Sequence, residues 1–188
     1  MPDRRGWSFV ALGLLLGLAA GFAAWGGRSE ASSVSIASPA AVLTPVAAPV
    51  VGGLAPEFEA TGIDGDQFLM SKSRGRIVLL NFWATWCEPC RTEMPELEAR
   101  YGEEESAGVL VVGINLDETP AQVRAYRDAL KLTFPLLLDP GGGVHTLYRV
   151  RGYPTTFFVD EVGMIRFVHV GSLDVETLDD YLHAMGLN

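Results

Sequence analysis

The stretch from Arg76 to Ser106 constrains this chain more tightly than any other. Its first part, Ile77-Val78-Leu79-Leu80-Asn81-Phe82-Trp83, is an almost unbroken apolar run, the pattern of a central strand covered on both faces. Its second part, Glu88 to Ser106, reads as a helix interrupted at Pro95. Between them stands Trp86-Cys87-Glu88-Pro89-Cys90, so Cys87 falls at a helix N-terminus and Cys90 one turn deeper. Strand and helix patterns keep alternating downstream, which predicts an α/β fold with a mainly parallel central sheet flanked by helices.

After this unit, Val109–Leu116 reads as a second buried strand and Phe134–Leu138 as a third. Thr119–Leu132 suits a helix with Thr119 as N-cap and Pro120 at its first position. Gly143–Arg149 suits a short helix. Thr155–Asp160 and Met164–Val170 form an antiparallel hairpin around Glu161-Val162-Gly163, and Leu173–Met185 closes the chain as an amphipathic helix. Upstream, Phe58–Thr61 and Gln67–Met70 flank Asp64-Gly65 as a short hairpin. The folded domain is therefore expected over residues 56–188, and the length of 188 residues allows one ordinary domain with an appendage.

That appendage is N-terminal. Trp7 to Trp25 carries no charge, and at about 1.5 Å per residue it would make roughly 28 Å of helix, close to the hydrocarbon thickness of a bilayer. Arg4 and Arg5 precede it while Arg28 and Glu30 cancel after it, which predicts a cytoplasmic N-terminus and a domain on the outer side. Residues 1–27 are thus expected to be a membrane anchor, or a signal peptide cleaved near Ala31 to Ser33; either places the domain outside the cytoplasm. Residues 28–55, rich in Ser, Ala, Val and Pro, are expected to be a linker that reaches about 30 Å as flexible coil. Asp and Glu outnumber Lys and Arg by 23 to 14, which argues against nucleic acid as a partner.

The chain contains only two cysteines, so no second pair remains for a structural framework. Two buried inert thiols would have no reason to flank Glu-Pro, and the pair calls for chemistry. Unpaired N–H groups and the positive end of the helix dipole favour a thiolate at Cys87, which is expected to be exposed there and to act as the attacking nucleophile. Cys90 is then placed to attack the mixed disulfide and resolve it. A zinc site would need two further ligands; none can come from cysteine, and His145, His169 and His183 stand apart in sequence as structural histidines, so no metal or other cofactor is expected.

Asn81-Phe-Trp-Ala-Thr-Trp-Cys-Glu-Pro-Cys-Arg-Thr-Glu-Met-Pro95, followed by Gly152-Tyr-Pro-Thr-Thr156, resembles the TlpA/ResA-like branch of the thioredoxin superfamily, from about Pro56 to the C-terminus. The resemblance implies a thioredoxin-like fold: a central mixed sheet flanked by helices, with an N-terminal hairpin and an inserted helix–strand unit. It also implies an anchored extracytoplasmic enzyme that reduces protein disulfides, often those of apocytochrome c during cytochrome c maturation, and that is recharged by a membrane electron transporter. Pro154 matches the family's cis-proline, beside which Tyr153, Thr155 and Trp86 are expected to meet substrate. Two positions depart from cytoplasmic thioredoxins. Asn81 stands where they carry a buried carboxylate, and Glu93, three residues after Cys90, matches an acidic residue of the branch that can take over proton transfer. Tyr153 replaces a smaller apolar residue. The other readings are a disulfide oxidase or isomerase, and a metallochaperone or docking module using the fold only as scaffold.

Overall fold

A computed structural model describes residues 47–105 and 108–187; the apolar segment Trp7–Trp25 and the expected linker up to residue 46 lie outside them. Among the described residues no helix is long and apolar enough to cross a membrane. The strands are β1 (Glu59–Gly62), β2 (Gln67–Leu69), β3 (Ile77–Trp83), β4 (Val109–Leu116), β5 (Leu136–Asp139), β6 (Thr155–Val159) and β7 (Ile165–Val170). The helices are α1 (Glu88–Glu104), α2 (Pro120–Leu130), α3 (Gly143–Leu147) and α4 (Val175–Ala184).

The seven strands form one sheet in the order β2-β1-β5-β4-β3-β6-β7. Only β3–β4 and β4–β5 are parallel, while β1–β2, β1–β5, β3–β6 and β6–β7 are antiparallel. The sheet is therefore mixed, as the resemblance implied, and the expectation of a mainly parallel sheet is corrected. Alternation of strand and helix patterns predicts parallel neighbours only where a helix makes the crossover. The connection from α3 to β6 instead inserts β6 antiparallel beside β3, and nothing in local periodicity reports that.

Every residue of β3 is buried, which accounts for its continuous apolar run. Side chains alternate across the sheet, so Leu79, Asn81 and Trp83 leave one face and Leu80 and Phe82 the other. On the first face Trp83 meets Tyr126 of α2, with ring centroids 4.7 Å apart, and Asn81 meets α1. On the second, Phe82 packs against His145 and Tyr148. Phe158 of β6 and Phe167 of β7 pack on Tyr181 of α4.

Helix α2 begins as its sequence predicts, with Thr119 as N-cap and Pro120 at the first turn, and Gln122 completes a capping box with Thr119. Helix α1 differs from its expected form, because it runs unbroken through Pro95. A proline removes a single N–H donor and does not end a helix whose buried side, with Met94, Leu97 and Tyr101, is held by the core.

The segment Ala47–Ala55, expected as linker, is bound to the domain. Gly52 N–H donates to Ile165 O and Ile165 N–H to Gly53 O, both at 2.9 Å, while Ala55 N–H donates to Gly163 O. These bonds occupy the outer edge at the start of β7, where unpaired backbone groups favour any chain that can pair with them. Small residues allow the close approach, since a Cβ on Gly53 would lie 2.5 Å from Ala48 O. A composition argument misses such a segment because main-chain pairing needs no apolar side chains.

Candidate active site

Strand β3 ends at Trp83, and the chain turns once before α1, closing the turn with Cys87 N–H donating to Ala84 O at 3.2 Å. Cys87 is the N-cap residue of α1, and its Sγ accepts the Cys90 N–H at 3.2 Å. The two sulfurs are joined in a disulfide. Cys87 is 4% exposed and Cys90 1%, so the expectation of an exposed Cys87 is not met in the oxidised form. What distinguishes the two is position. Cys87 sits at the helix end with an N–H directed at its sulfur, an arrangement that stabilises a thiolate there once the disulfide is opened. Glu88, beside it, is exposed, and the Arg91 guanidinium is drawn over the Tyr126 ring, 5.2 Å from its centroid.

Glu93 lies three residues beyond Cys90 on the same helical face and is 1% exposed. Asn81 Nδ2 donates to its Oε1 at 2.7 Å and Leu173 N–H to its Oε2 at 3.0 Å, while Thr156 Oγ1 lies 3.5 Å from Oε1. Burial dominates these contacts and raises the carboxyl pKa to about 7. Asn81 is thus a donor that fixes Glu93, and the titratable carboxyl sits on α1 instead of β3. Thr156 and the Leu173 amide belong to this network although the sequence reading did not single them out. The polar Thr155-Thr156 pair opening β6, a strand that is wholly buried, was the available signal for Thr156.

The Tyr153–Pro154 peptide is cis. Thr155 pairs with Phe82, next to the end of β3, which brings this turn beside the Trp86–Cys87 turn. There the Tyr153 and Trp86 rings meet edge to face at 5.6 Å. Trp86 is 65% exposed, whereas Trp83 is fully buried core. Thr155 is 3% exposed, and its hydroxyl donates to Gly152 O at 2.8 Å. Its side chain therefore fastens the turn around Pro154 and is not presented to the solvent. Tyr153 N–H and C=O make no hydrogen bond to another described residue.

A second carboxylate supports the motif from outside it. Glu118 accepts the Thr85 N–H at 2.7 Å, the Thr85 hydroxyl, and Asn115 Nδ2 at 2.6 Å. It thereby ties the turn that precedes Cys87 to the end of β4. Nothing local marks this residue, because its partner Thr85 is 33 positions away. Glu118→Ala leaves these donors unpaired and should cost about 2 kcal/mol of stability. Urea unfolding measures it, and an unchanged midpoint would remove the clamp. Among the described residues, no group of three His, Cys, Asp or Glu side chains is arranged to hold a metal ion.

With a cysteine pair opening a helix off a mixed sheet, the molecule is a thiol–disulfide oxidoreductase of thioredoxin-like fold. Residues 51–168 match the pattern that defines the AhpC/TSA family, and the chain belongs to that family. It is 40% identical over 134 residues to "Thioredoxin-like protein YneN" of Bacillus subtilis, covering 70% of this chain and 78% of that protein. It is 38% identical over 137 residues to "Thiol-disulfide oxidoreductase ResA" of Oceanobacillus iheyensis, covering 71% of each. Among solved structures, a thiol:disulfide interchange protein DsbE described as putative, from Chlorobium tepidum, superposes with TM-score 0.68 at 31% identity, over 72% of this chain and 97% of that one. StoA from Bacillus subtilis superposes with TM-score 0.60 at 30% identity, over 68% and 96%. These relatives bear out the resemblance read from the motifs.

Proposed function

We propose that this enzyme is a membrane-tethered, extracytoplasmic reductant of protein disulfides that serves cytochrome c maturation by reducing apocytochrome c, and is recharged by a membrane electron transporter. The observation that carries the reading is Glu93, a carboxyl buried one turn below Cys90 with a pKa near neutrality. In the reduced enzyme the Cys87 thiolate attacks a substrate disulfide. A Cys87–substrate bond forms, and the departing substrate sulfur leaves as thiolate and takes up a proton. Glu93 accepts the Cys90 proton, the Cys90 thiolate attacks Cys87 Sγ, and the second substrate sulfur departs. The two electrons of the dithiol end on the substrate. Tyr153 offers its free N–H and C=O to the extended substrate chain beside Pro154.

The direction of exchange follows from the charges around the motif. Glu88 places a negative charge next to Cys87, Glu93 adds another when ionised, and no Lys or His lies between the cysteines. These side chains add little to the thiolate stabilisation that the helix end supplies, the condition for a reducing couple. The potential is expected near the thioredoxin value of about −270 mV and far from the roughly −120 mV of a strong oxidant, a gap of about 7 kcal/mol. Equilibration against glutathione and dithiothreitol buffers measures it, and a value at the oxidising end would make disulfide oxidase or isomerase the better reading.

A further inference from the structure

One buried ionisable pair lies outside the thiol chemistry. Asp139, at the end of β5, and His145, in α3, are each 4% exposed. The Asp139 carboxylate accepts three N–H groups: Val144 N–H at 3.0 Å, His145 N–H at 2.9 Å and the His145 ring Nδ1 at 2.6 Å. Nδ1 therefore carries the ring proton. Burial lowers the His145 pKa, with Asp139 opposing, and the ring is held neutral. Among the described residues, its buried Nε2 has no hydrogen-bond partner.

An unpartnered buried acceptor destabilises a fold, and a hydrocarbon side chain would fill the same space without one. What a histidine supplies here is a tether, since the Nδ1–H bond to Asp139 fixes the plane of the ring as no Leu or Phe could. That fixed ring makes T-shaped contacts with two aromatic neighbours, Phe82 at 4.9 Å and Tyr153 at 5.5 Å between centroids. Phe82 belongs to the core. Tyr153 does not; it is half-buried, leads into the cis peptide, and also meets the Trp86 ring, at 5.6 Å.

We propose that the buried Asp139–His145 pair is a positioning device that holds the Tyr153 ring against Trp86 and so determines how firmly the enzyme grips its substrate. The inference deepens the reductase reading and rests on it. Asp139 and His145 are positioning residues that act through Tyr153, the residue that sets specificity. They have no part in the thiol chemistry, so substrate affinity depends on them while the equilibrium of the Cys87–Cys90 couple does not.

Steady-state reduction of insulin disulfides by the full chain in detergent, driven by dithiothreitol, separates the two quantities. His145→Leu should raise KM about three- to tenfold, the range an edge-to-face ring contact represents, with kcat and the dithiothreitol equilibrium constant within about twofold of wild type. Tyr153→Leu should raise KM by a similar factor, and His145→Leu should add nothing further in that background. Asp139→Asn, which keeps a tether to the ring, should restore most of the affinity that Asp139→Ala loses. Equal and additive losses from His145→Leu in both backgrounds, tracking the loss of folded protein, would show a merely structural residue and overturn the proposal. A wild-type KM in Tyr153→Leu would overturn it whether or not the His145 variants fold. Wild-type protein that reduced no insulin disulfide would overturn the reductase reading itself and this proposal with it.

Discussion

Replacing Cys87 with serine should lower disulfide exchange roughly a thousandfold or more, because a hydroxyl at the N-cap is not ionised at neutral pH and cannot replace the thiolate. Cys90→Ser should also lose turnover, with a different signature. It retains the attacking sulfur and should accumulate mixed disulfides with substrate, visible on non-reducing gels and released by dithiothreitol. Both variants lack the Cys87–Cys90 disulfide, so their comparison holds that loss constant. The experiment has force because burial does not separate the two sulfurs, at 4% and 1% exposed. The division of roles rests on the N-cap position of Cys87 and on the amide directed at its sulfur. Mixed disulfides formed equally by Cys87→Ser through Cys90 would reverse or erase that division.

Glu93→Gln should change how stability depends on pH. In the folded protein the carboxyl pKa is raised from 4.5 to about 7, so the folded state holds its proton more tightly than the unfolded chain does. Its stabilising effect is complete below the unfolded value and is lost as pH rises through the folded one. The loss, 2.5 pH units at 1.36 kcal/mol each, is about 3 kcal/mol between pH 4.5 and pH 8. The glutamine side chain does not titrate, so the variant should lack this loss and keep only the pH dependence of the remaining groups, His145 among them. At low pH it should be the less stable protein by about 1 kcal/mol, since one of its amide faces opposes an N–H donor that the carboxyl accepted. Urea unfolding of the oxidised protein across pH 5 to 8 tests this without interference from thiol titration. Parallel wild-type and variant profiles would show that Glu93 is not the titrating group. In the reduced protein the same substitution should slow reduction most near neutral pH, where the carboxylate is there to take the Cys90 proton.

The network around Glu93 shows why some of the site was legible and some was not. Cys87, Cys90 and Glu93 share one helix, and the helical repeat relates their positions without reference to the rest of the chain. Asn81 and Pro154 came from motifs that keep their internal order. Thr156 and the Leu173 amide reach Glu93 from 63 and 80 residues away, and Glu118 reaches Thr85 from 33. Contacts of that separation are made by the sheet order, which sequence periodicity does not encode.

The fold divides along the same line. By itself the sequence determined the buried strand β3, the helix that begins at Cys87, the capped start of α2 and the chemistry of a lone Cys-x-x-Cys, because each depends on neighbours within a few residues. Tertiary structure alone decided that β6 enters antiparallel beside β3, that Ala47–Ala55 pairs with the sheet edge, that the disulfide is buried, and that His145 stands tethered behind Tyr153. Each of these depends on which distant backbone lies alongside, and on how much water that packing excludes. Exclusion of water is also what turns Glu93 from an ordinary acidic residue of a helix into a carboxyl that titrates near neutrality.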